Sequence, residues 1–471
     1  MSTKQSAGAG NQAFIDALPS ELGARKIYLC IDLKSFYASV ECADRGLDPF
    51  TTNLVVADPA RTRTTICLAI TPAMKALGVR NRCRVFEIPE GITYITAVPR
   101  MRRYMEVSNN IYRIYLGHIS AQDIRPYSID ESFIDATPYL KLYDKTPRQF
   151  ARMLMDEVLE KTGITATAGI GTNLFLAKVA LDVTAKHEAD CIGYLDEEGF
   201  RQRIWWHRPI TDIWSIGPGI ARRLRKHGAE DLAGVAAMSP IVLRREFGVN
   251  AEYLIDHAWG LEPCTIQYIR DYKPEGHSMT NGQVLPCDYT FGEARMVLRE
   301  MVNASVLEMV ANGVVCERIY LSIGYAKPKT SASQSQQRAA SKRCELFDGG
   351  HGLRRVGGWG VSRSNASRKL ERRTNSEMLL QKRFEQLFDE TVSRALPIRR
   401  IVIGLGDLMP ERFATQTLFD DVEAEQKERA LQNAIVAVRS KYGSNAMLKG
   451  TSLQEKATAR ERNNQVGGHR A

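Results

Sequence analysis

The sequence has 471 residues, of which 44% are hydrophobic and 25% charged, and its formal net charge is +10. This length and composition exclude a disordered chain and predict roughly two to four globular domains. The basic surplus favours a polyanionic partner, nucleic acid before an anionic membrane, with a basic surface that has no such partner as the alternative.

The nine cysteines are scattered and none has C-x-x-C spacing, which argues against a zinc site or a disulfide framework and indicates a reducing compartment. The N-terminus lacks the apolar region of a signal peptide, and no run of about 18 apolar residues could span a membrane. We therefore expect a cytoplasmic protein without a membrane partner.

The N-terminal half alternates short apolar runs with amphipathic stretches. After a polar segment predicted to be a disordered tail (1–23), the pattern predicts strands and helices in turn. Strands are predicted over 26–33, 53–58, 64–70, 125–137 in two halves, and 165–171, and helices from 36 and 72 and over 101–119, 151–163 and 173–186. This interleaving predicts an α+β layer with one helix-backed sheet, and 37–99 forms an insertion.

The C-terminal half has a different pattern of predicted elements. A helix, a Gly-Pro-Gly turn and a second helix are predicted over 210–238, and strands and a helix return over 281–325 and 397–405. Between them, residues 327–373 carry 12 Lys or Arg against 3 Asp or Glu, which predicts a mobile basic loop. A helix is predicted from 377, and the chain beyond 422 should end in a helix and a loose tail.

Two adjacent acids, Asp130 and Glu131, lie in the half-apolar run YSIDESFIDA (127–136). Burying neighbouring carboxylates is costly, and both can serve one site only where a strand bends. Asp32 ends the apolar strand KIYLCID and could face Asp130 if that strand pairs with the 125–137 hairpin. Three carboxylates there would suit Mg²⁺, and two such ions would support phosphoryl or nucleotidyl transfer.

The alternative is that Asp32 caps the following helix and that the two adjacent acids lie in an exposed turn without a functional role.

In SIGPGIARRL (215–224), the Gly217-Pro218-Gly219 turn predicts a helix-hairpin-helix whose backbone N–H groups bind a DNA phosphate. Arg222 and Arg223 would add charge, although such turns also occur in proteins that do not bind DNA.

The blocks DLKSFYASVE (32–41) and YSIDESFID (127–135) resemble the two signature blocks of the Y-family translesion DNA polymerases, in particular the UmuC-like bacterial branch. The resemblance extends over about residues 26–420. It implies a multidomain right hand with a palm (24–36 and 100–195), fingers (37–99), a thumb (196–263), a linker (264–283), a little finger (284–405) and a C-terminal tail (406–471).

The resemblance also implies roles for individual residues at the nucleotide site. Asp32, Asp130 and Glu131 match the ligands of two Mg²⁺ ions, and the backbone carbonyl of Leu33 would be a further donor. Tyr37 matches the steric gate, an aromatic ring that leaves no room for a ribose 2′-hydroxyl.

Phe36 would pack beside Tyr37 at the same site. Lys75 and Lys186 match positions that contact the triphosphate, although Lys75 stands where the family often has Arg. In TQTLFD (415–420), Gln416, Leu418 and Phe419 resemble a peptide that docks on a bacterial sliding clamp.

The implied activity is error-prone, template-directed DNA synthesis across lesions without proofreading, because the fingers segment is small and no segment resembles an exonuclease. Expected partners are primer–template DNA, deoxynucleoside triphosphates, a sliding clamp and accessory repair proteins, and the family implies induction by DNA damage. Two alternatives remain open. The same acids could serve a nucleotidyl cyclase, or the chain could be a catalytically silent DNA-binding or scaffold relative.

Overall fold

The structure is a computed structural model that describes residues 26–273, 278–326, 353–355, 362–415 and 421–471. It divides into two compact units, Met1–Tyr272 with His469–Ala471, and Lys273–Gly468. The N-terminal segment predicted to be a disordered tail (1–23) lies outside the described residues. Within the described ranges, no helix is long and apolar enough to cross a membrane.

Between residues 26 and 273, the first unit contains twenty regular helices and strands, besides short 3₁₀ and π turns. In chain order these are β1 (Tyr28–Leu33), α1 (Phe36–Ala43), β2 (Leu54–Val56), β3 (Ala69–Ile70), α2 (Pro72–Ala76), β4 (Ile95–Ala97), α3 (Met101–Leu116), β5 (Ile124–Pro126), β6 (Glu131–Asp135), α4 (Thr137–Tyr143), α5 (Pro147–Thr162), β7 (Ala166–Gly171), α6 (Leu174–Val179), β8 (Ile192–Leu195), α7 (Glu197–Arg203), α8 (Pro218–Arg225), α9 (Leu232–Ala236), α10 (Pro240–Phe247), α11 (Ala251–Ala258) and α12 (Ile266–Asp271).

A five-stranded sheet in the order β5-β6-β1-β7-β8 is the centre of the first unit. All of its pairs are antiparallel except β7 with β8. Alternate residues of β1 and β6, among them Cys30 and Phe133, pack with Leu174, Ala177 and Leu181 in one buried cluster. Since strand residues alternate between faces, this cluster marks the sheet face on which Asp32 and Glu131 also lie.

Two smaller substructures complete the first unit. Strands β3, β2 and β4 form a three-stranded sheet within the predicted 37–99 insertion, with a core that includes Val55, Cys67, Ile70 and Met74. Helices α8–α11 share an apolar core with α7, in the segment expected to hold the helix-hairpin-helix. The element before the Gly-Pro-Gly turn is a single 3₁₀ turn, Ile210–Asp212, so the prediction of a full helix there is wrong.

The second unit is built on one larger sheet. Its elements are β9 (Met279–Tyr289), α13 (Phe291–Ala311), β10 (Val314–Tyr325), β11 (Leu353–Arg355), β12 (Ser362–Thr374), α14 (Glu377–Thr391), β13 (Ile398–Gly406), β14 (Met409–Pro410), α15 (Val422–Tyr442), α16 (Ala459–Arg462) and β15 (Gln465–Val466), and β16 (His469–Arg470) belongs to the first unit. The sheet order is β11-β12-β10-β13-β9, with β14 paired to β10. Helices α13 and α14 pack on the sheet through a large apolar core.

Three predicted segments in this part of the chain contain more regular structure than the sequence indicated. The C-terminal part of the predicted basic loop is strand β12, which pairs with β10 over most of its length, and only 327–352 and 356–361 lie outside the described residues. The predicted linker (264–283) contains helix α12 and the start of β9. In the predicted tail (406–471), the helix expected beyond 422 is present as α15, but the described residues after it are ordered up to Gly468 in the second unit, where Glu300 of α13 accepts a hydrogen bond from the backbone N–H of Thr458 at 2.8 Å.

Candidate active site

Strand pairing brings two of the three predicted acids face to face. In the antiparallel register of β1 and β6, Asp32 is the direct partner of Glu131. Directly opposed residues of an antiparallel pair project to the same face with their Cα atoms about 4.5–5.5 Å apart. Asp130 precedes β6 in a bend, and its carbonyl accepts the backbone N–H of Leu33 at 2.9 Å. The expected pairing of the first strand with the 125–137 segment is present, but the residue opposite Asp32 is Glu131 and not Asp130.

The bend that carries Asp130 is anchored on several sides. Ser108 Oγ of α3 donates to the Ile129 carbonyl at 2.5 Å. The backbone N–H of Tyr127 donates to the Glu131 carbonyl at 2.8 Å. Ser128 Oγ donates to Asp130 Oδ1 at 2.6 Å. Because these bonds fix a bend, the adjacent acids escape the strict alternation of a straight strand.

The acids repel one another. Burial first, and then the charges of Asp130 and Glu131, raise the pKa of Asp32 to about 7. Burial also raises the pKa of Glu131, and the charges of Asp182 and Asp130 add to that effect. A cluster of carboxylates whose charged forms disfavour one another is typical of a site prepared for a cation or for proton transfer.

Sequence reasoning missed two charged residues at this cluster. Lys178 Nζ is hydrogen-bonded to Glu131 Oε1 and donates to Asp182 Oδ1 at 3.0 Å. Both residues come from α6 and the π-helical turn that follows it, Ala180–Thr184. The available signal was a lysine inside the apolar run LFLAKVAL with an acid four residues later, a spacing that places the two on one helix face.

The donor set fits a hard divalent cation in its chemistry, although the carboxylates are engaged by other partners. Among the described residues, no group of three or more His, Cys, Asp or Glu side chains is arranged as a metal site. Glu131 is bound by Lys178, and Asp130 accepts from Ser128. The carboxylates of Asp32, Asp130 and Glu131 are nonetheless the oxygen ligands that Mg²⁺ prefers, and a cation would relieve their mutual repulsion.

The aromatic residues after β1 form a stack beside the acids. Phe36 is buried, and its ring centroid lies 5.8 Å from that of Tyr37. Tyr37 stacks on Tyr104 with centroids 4.6 Å apart and an interplanar angle of 21°. Desolvation and the charge of Asp130 raise the pKa of Tyr37, while Arg82 opposes the shift. Tyr37 therefore lies near the acidic bend with a ring that Tyr104 holds in place.

Lys75 lies within electrostatic range of Asp32 and of two further lysines. Desolvation lowers the pKa of Lys75, the ammonium groups of Lys186 and Lys34 lower it further, and Asp32 opposes the shift. Lys75 and Lys186 were predicted from sequence and both are exposed. Lys34 was not predicted, and its Nζ donates to Cys191 Sγ at 2.8 Å. Clustered ammonium groups beside carboxylates would suit a polyphosphate that reaches the acids.

The Gly-Pro-Gly turn is exposed at the start of helix α8. Gly217 is the N-cap residue, and no atom would contact a Cβ built on Gly217 or Gly219. Arg222 is exposed, as the DNA-binding prediction requires. Arg223 is engaged elsewhere, with its guanidinium 4.2 Å from the Phe247 ring centroid and its Nε 3.5 Å from a Glu246 oxygen. The predicted clamp residues Gln416, Leu418 and Phe419 lie outside the described residues.

Two family models and two relatives from Bacillus subtilis match this sequence. Residues 31–182 match the model of the impB/mucB/samB family, and residues 276–418 match that of the impB/mucB/samB family C-terminal domain. UvrX of Bacillus subtilis (strain 168), a candidate UV-damage repair protein, is 29% identical to this chain, and the alignment covers 95% of this chain and 98% of UvrX. DNA polymerase IV 2 of the same organism is 29% identical over 94% of this chain and 98% of its own.

A solved structure matches the fold. A Y-family DNA polymerase chimera, Dbh-Dpo4(243-245)-Dbh, aligns with a TM-score of 0.57 at 21% identity and covers 81% of this chain and 99% of its own. This likeness confirms the expectation of a multidomain α+β polymerase fold. The two family models together match more than half of the sequence. The chain therefore belongs to the impB/mucB/samB family of Y-family DNA polymerases, as its two signature blocks predicted.

Proposed function

We propose that this DNA polymerase performs error-prone translesion synthesis, adding deoxynucleotides to a primer 3′-hydroxyl on damaged templates. The observation that carries the proposal is the cross-strand pairing of Asp32 with Glu131, with Asp130 hydrogen-bonded to the end of the same strand. Two directly opposed carboxylates and a third on the adjoining bend, with lysines in electrostatic range, have the donor chemistry that nucleotidyl transfer requires.

Two Mg²⁺ ions would be held by Asp32, Asp130, Glu131 and the backbone carbonyl of Leu33. When bound, such ions supply an activated 3′-hydroxyl and neutralise charge on the leaving phosphate. The chain's own contribution is orientation, because the anchored bend and the paired strands hold the acids at fixed backbone positions. The raised pKa of Asp32 leaves its carboxyl partly protonated near neutral pH, so ligand binding would release a proton there.

The nucleotide would lie between the acids, the lysines and the aromatic stack. Lys75 and Lys186 would bind triphosphate oxygens and offset their charge. Tyr37, held by Tyr104 at 4.6 Å, would lie under the sugar and exclude a 2′-hydroxyl by contact. Phe36 is buried and would support that ring from behind.

The DNA would be gripped through its backbone. In this proposal 24–36 with 100–195 is the palm, 37–99 the fingers and 196–263 the thumb, whose Gly217–Gly219 turn and Arg222 bind a phosphate. Residues 284–405, within the second unit, would act as the little finger, and Gln416, Leu418 and Phe419 would dock on a sliding clamp. A small fingers segment checks base-pair geometry weakly, so low fidelity without proofreading would follow.

Primer extension past an abasic site tests the proposal. The purified chain, with Mg²⁺ and with or without a sliding clamp, should extend a primed template across the lesion. Asp130→Ala should abolish extension and leave DNA affinity within about threefold, because this acid is assigned to catalysis rather than to DNA binding. Glu160→Ala, which removes an exposed acid of α5, is the matched control and should retain activity. A wild-type chain that binds primed DNA without extending it would instead be a catalytically silent relative.

A further inference from the structure

Lys178 is a buried cation that the proposed mechanism does not use. Its side chain is 10% exposed, and that of its partner Glu131 is 11% exposed. Its ammonium is shared between Glu131 Oε1 and Asp182 Oδ1. Cys30 Sγ approaches the same Glu131 oxygen at 3.6 Å. Among the described side chains, Lys178 is the cation that hydrogen-bonds a predicted metal ligand.

Close packing of helix α6 on strand β7 determines the position of Lys178. Helix α6 lies directly on β7, and a Cβ at Gly169 would come within 2.1 Å of the Ala177 carbonyl oxygen. A Cβ at Gly171 would come within 2.2 Å of the Ala177 backbone nitrogen. Glycine is therefore required for this close approach. The residue that follows Ala177 is held against the sheet, so its side chain extends along the sheet face toward Glu131.

The negative charges of the acidic residues around Glu131 need a positive charge to balance them. Asp32, Asp130, Glu131 and Asp182 contribute four partly buried carboxylates, and carboxylates removed from water are destabilising unless a positive charge compensates them. In the absence of metal, Lys178 supplies positive charge by direct hydrogen bonds. A divalent ion bound to Glu131 would have the same sign of charge as Lys178 and would need the same carboxylate. The ammonium and the ion would therefore repel each other at Glu131 and compete for its negative charge.

We propose that Lys178 is a positioning residue that serves as a resident counter-charge, holding Glu131 in the metal-free protein and yielding this carboxylate when divalent ions bind. The inference rests on the metal site assigned under the proposed function. It predicts that loss of the Lys178 charge strengthens divalent binding and weakens the metal-free fold.

Manganese titration of the full chain tests this competition, with calorimetry for affinity and thermal melts in EDTA and in Mn²⁺. Lys178→Gln should bind Mn²⁺ at least about tenfold tighter than wild type, because a like charge within hydrogen-bonding reach of the ligand is gone. Its melting temperature should fall in EDTA and recover with Mn²⁺. Lys178→Arg keeps the charge and should stay within about threefold of wild-type affinity. Lys161→Gln removes an exposed lysine paired with Glu157 and is the control.

Unchanged or weaker Mn²⁺ affinity in Lys178→Gln would overturn the inference. An equal loss of melting temperature in EDTA and in Mn²⁺ would also overturn it, since that result describes a purely structural lysine. If this variant does not fold in EDTA, failure of Mn²⁺ to restore folding would refute the proposal. The proposed metal site fails separately, if wild type does not bind Mn²⁺ or if Asp130→Asn binds it equally well.

Discussion

Replacing Asp32 with Asn should stabilise the metal-free protein while removing activity. The pKa of Asp32 is raised from 3.8 to about 7 by burial and by the neighbouring acids. Because the folded-state pKa exceeds the unfolded value, the folded state binds the proton more tightly, and stability falls as the pH rises from about 4 to 7. An amide avoids this penalty.

The size of the effect follows from the difference of about three in pKa. At 1.36 kcal/mol for each pKa step, the penalty above pH 7 is at most about 4 kcal/mol. Relaxation around the site and the remaining acids reduce the gain, so we expect about 2 kcal/mol at pH 8 and less than half of that at pH 5. For a unit of this size, 2 kcal/mol corresponds to roughly 4–8 °C in melting temperature.

Differential scanning calorimetry in EDTA at pH 8 and pH 5 measures this gain. Asp156→Asn, which neutralises an exposed acid of α5, serves as the control and should shift the melting temperature little at either pH. The reasoning is refuted if Asp32→Asn does not stabilise the protein at pH 8. A gain of equal size at both pH values would also contradict it, since the penalty must shrink as Asp32 becomes protonated.

Three further substitutions test other parts of the account. Tyr37→Ala should raise ribonucleotide incorporation relative to deoxynucleotide by at least about tenfold in single-nucleotide assays, and unchanged sugar selection would remove its gate assignment. Arg222→Ala should weaken DNA binding and reduce the slope of log DNA affinity against log salt concentration by about one phosphate contact. Arg223→Ala, whose guanidinium is engaged inside the unit, should mainly lower stability. Equal effects of the two substitutions on the salt slope would contradict this assignment. Gly169→Ala should lower the free energy of unfolding by at least about 2 kcal/mol in denaturant titrations, because its Cβ would overlap helix α6. Gly292→Ala is the control, because a Cβ there has open space around it. An equally small cost for both substitutions would contradict the close packing at Gly169.

The three acids were predictable because they lie in short motifs at strand ends. Asp32 follows a continuous apolar run, and Asp130 and Glu131 interrupt another, so their positions indicated the pairing of the two strands, while their role in catalysis stays a prediction. Lys178 was not predictable in the same way. Its role depends on a partner 47 residues earlier in the sequence and on a close helix–strand approach, neither of which periodicity reports.

The errors in the second unit have a similar cause. Strand β12 (Ser362–Thr374) buries Ser364, Ala366 and Leu370 on one face, so its alternation has few large apolar residues to reveal it. The C-terminal segment docks partly through polar contacts, such as the bond from the Thr458 N–H to Glu300. Hydrophobic patterning therefore predicted a loop and a tail where hydrogen bonds build ordered structure.

Single-turnover incorporation of one correct deoxynucleotide into undamaged primer–template tests the central claim most directly. Asp32→Asn, Asp130→Asn and Glu131→Gln, assayed in Mg²⁺ beside Glu160→Gln, should each lose at least about a thousandfold in rate, because each removes a carboxylate assigned to the reacting centre. DNA affinity should remain within about threefold of wild type. If any of the three retains a rate within tenfold of wild type, that carboxylate does not belong to the catalytic centre as described.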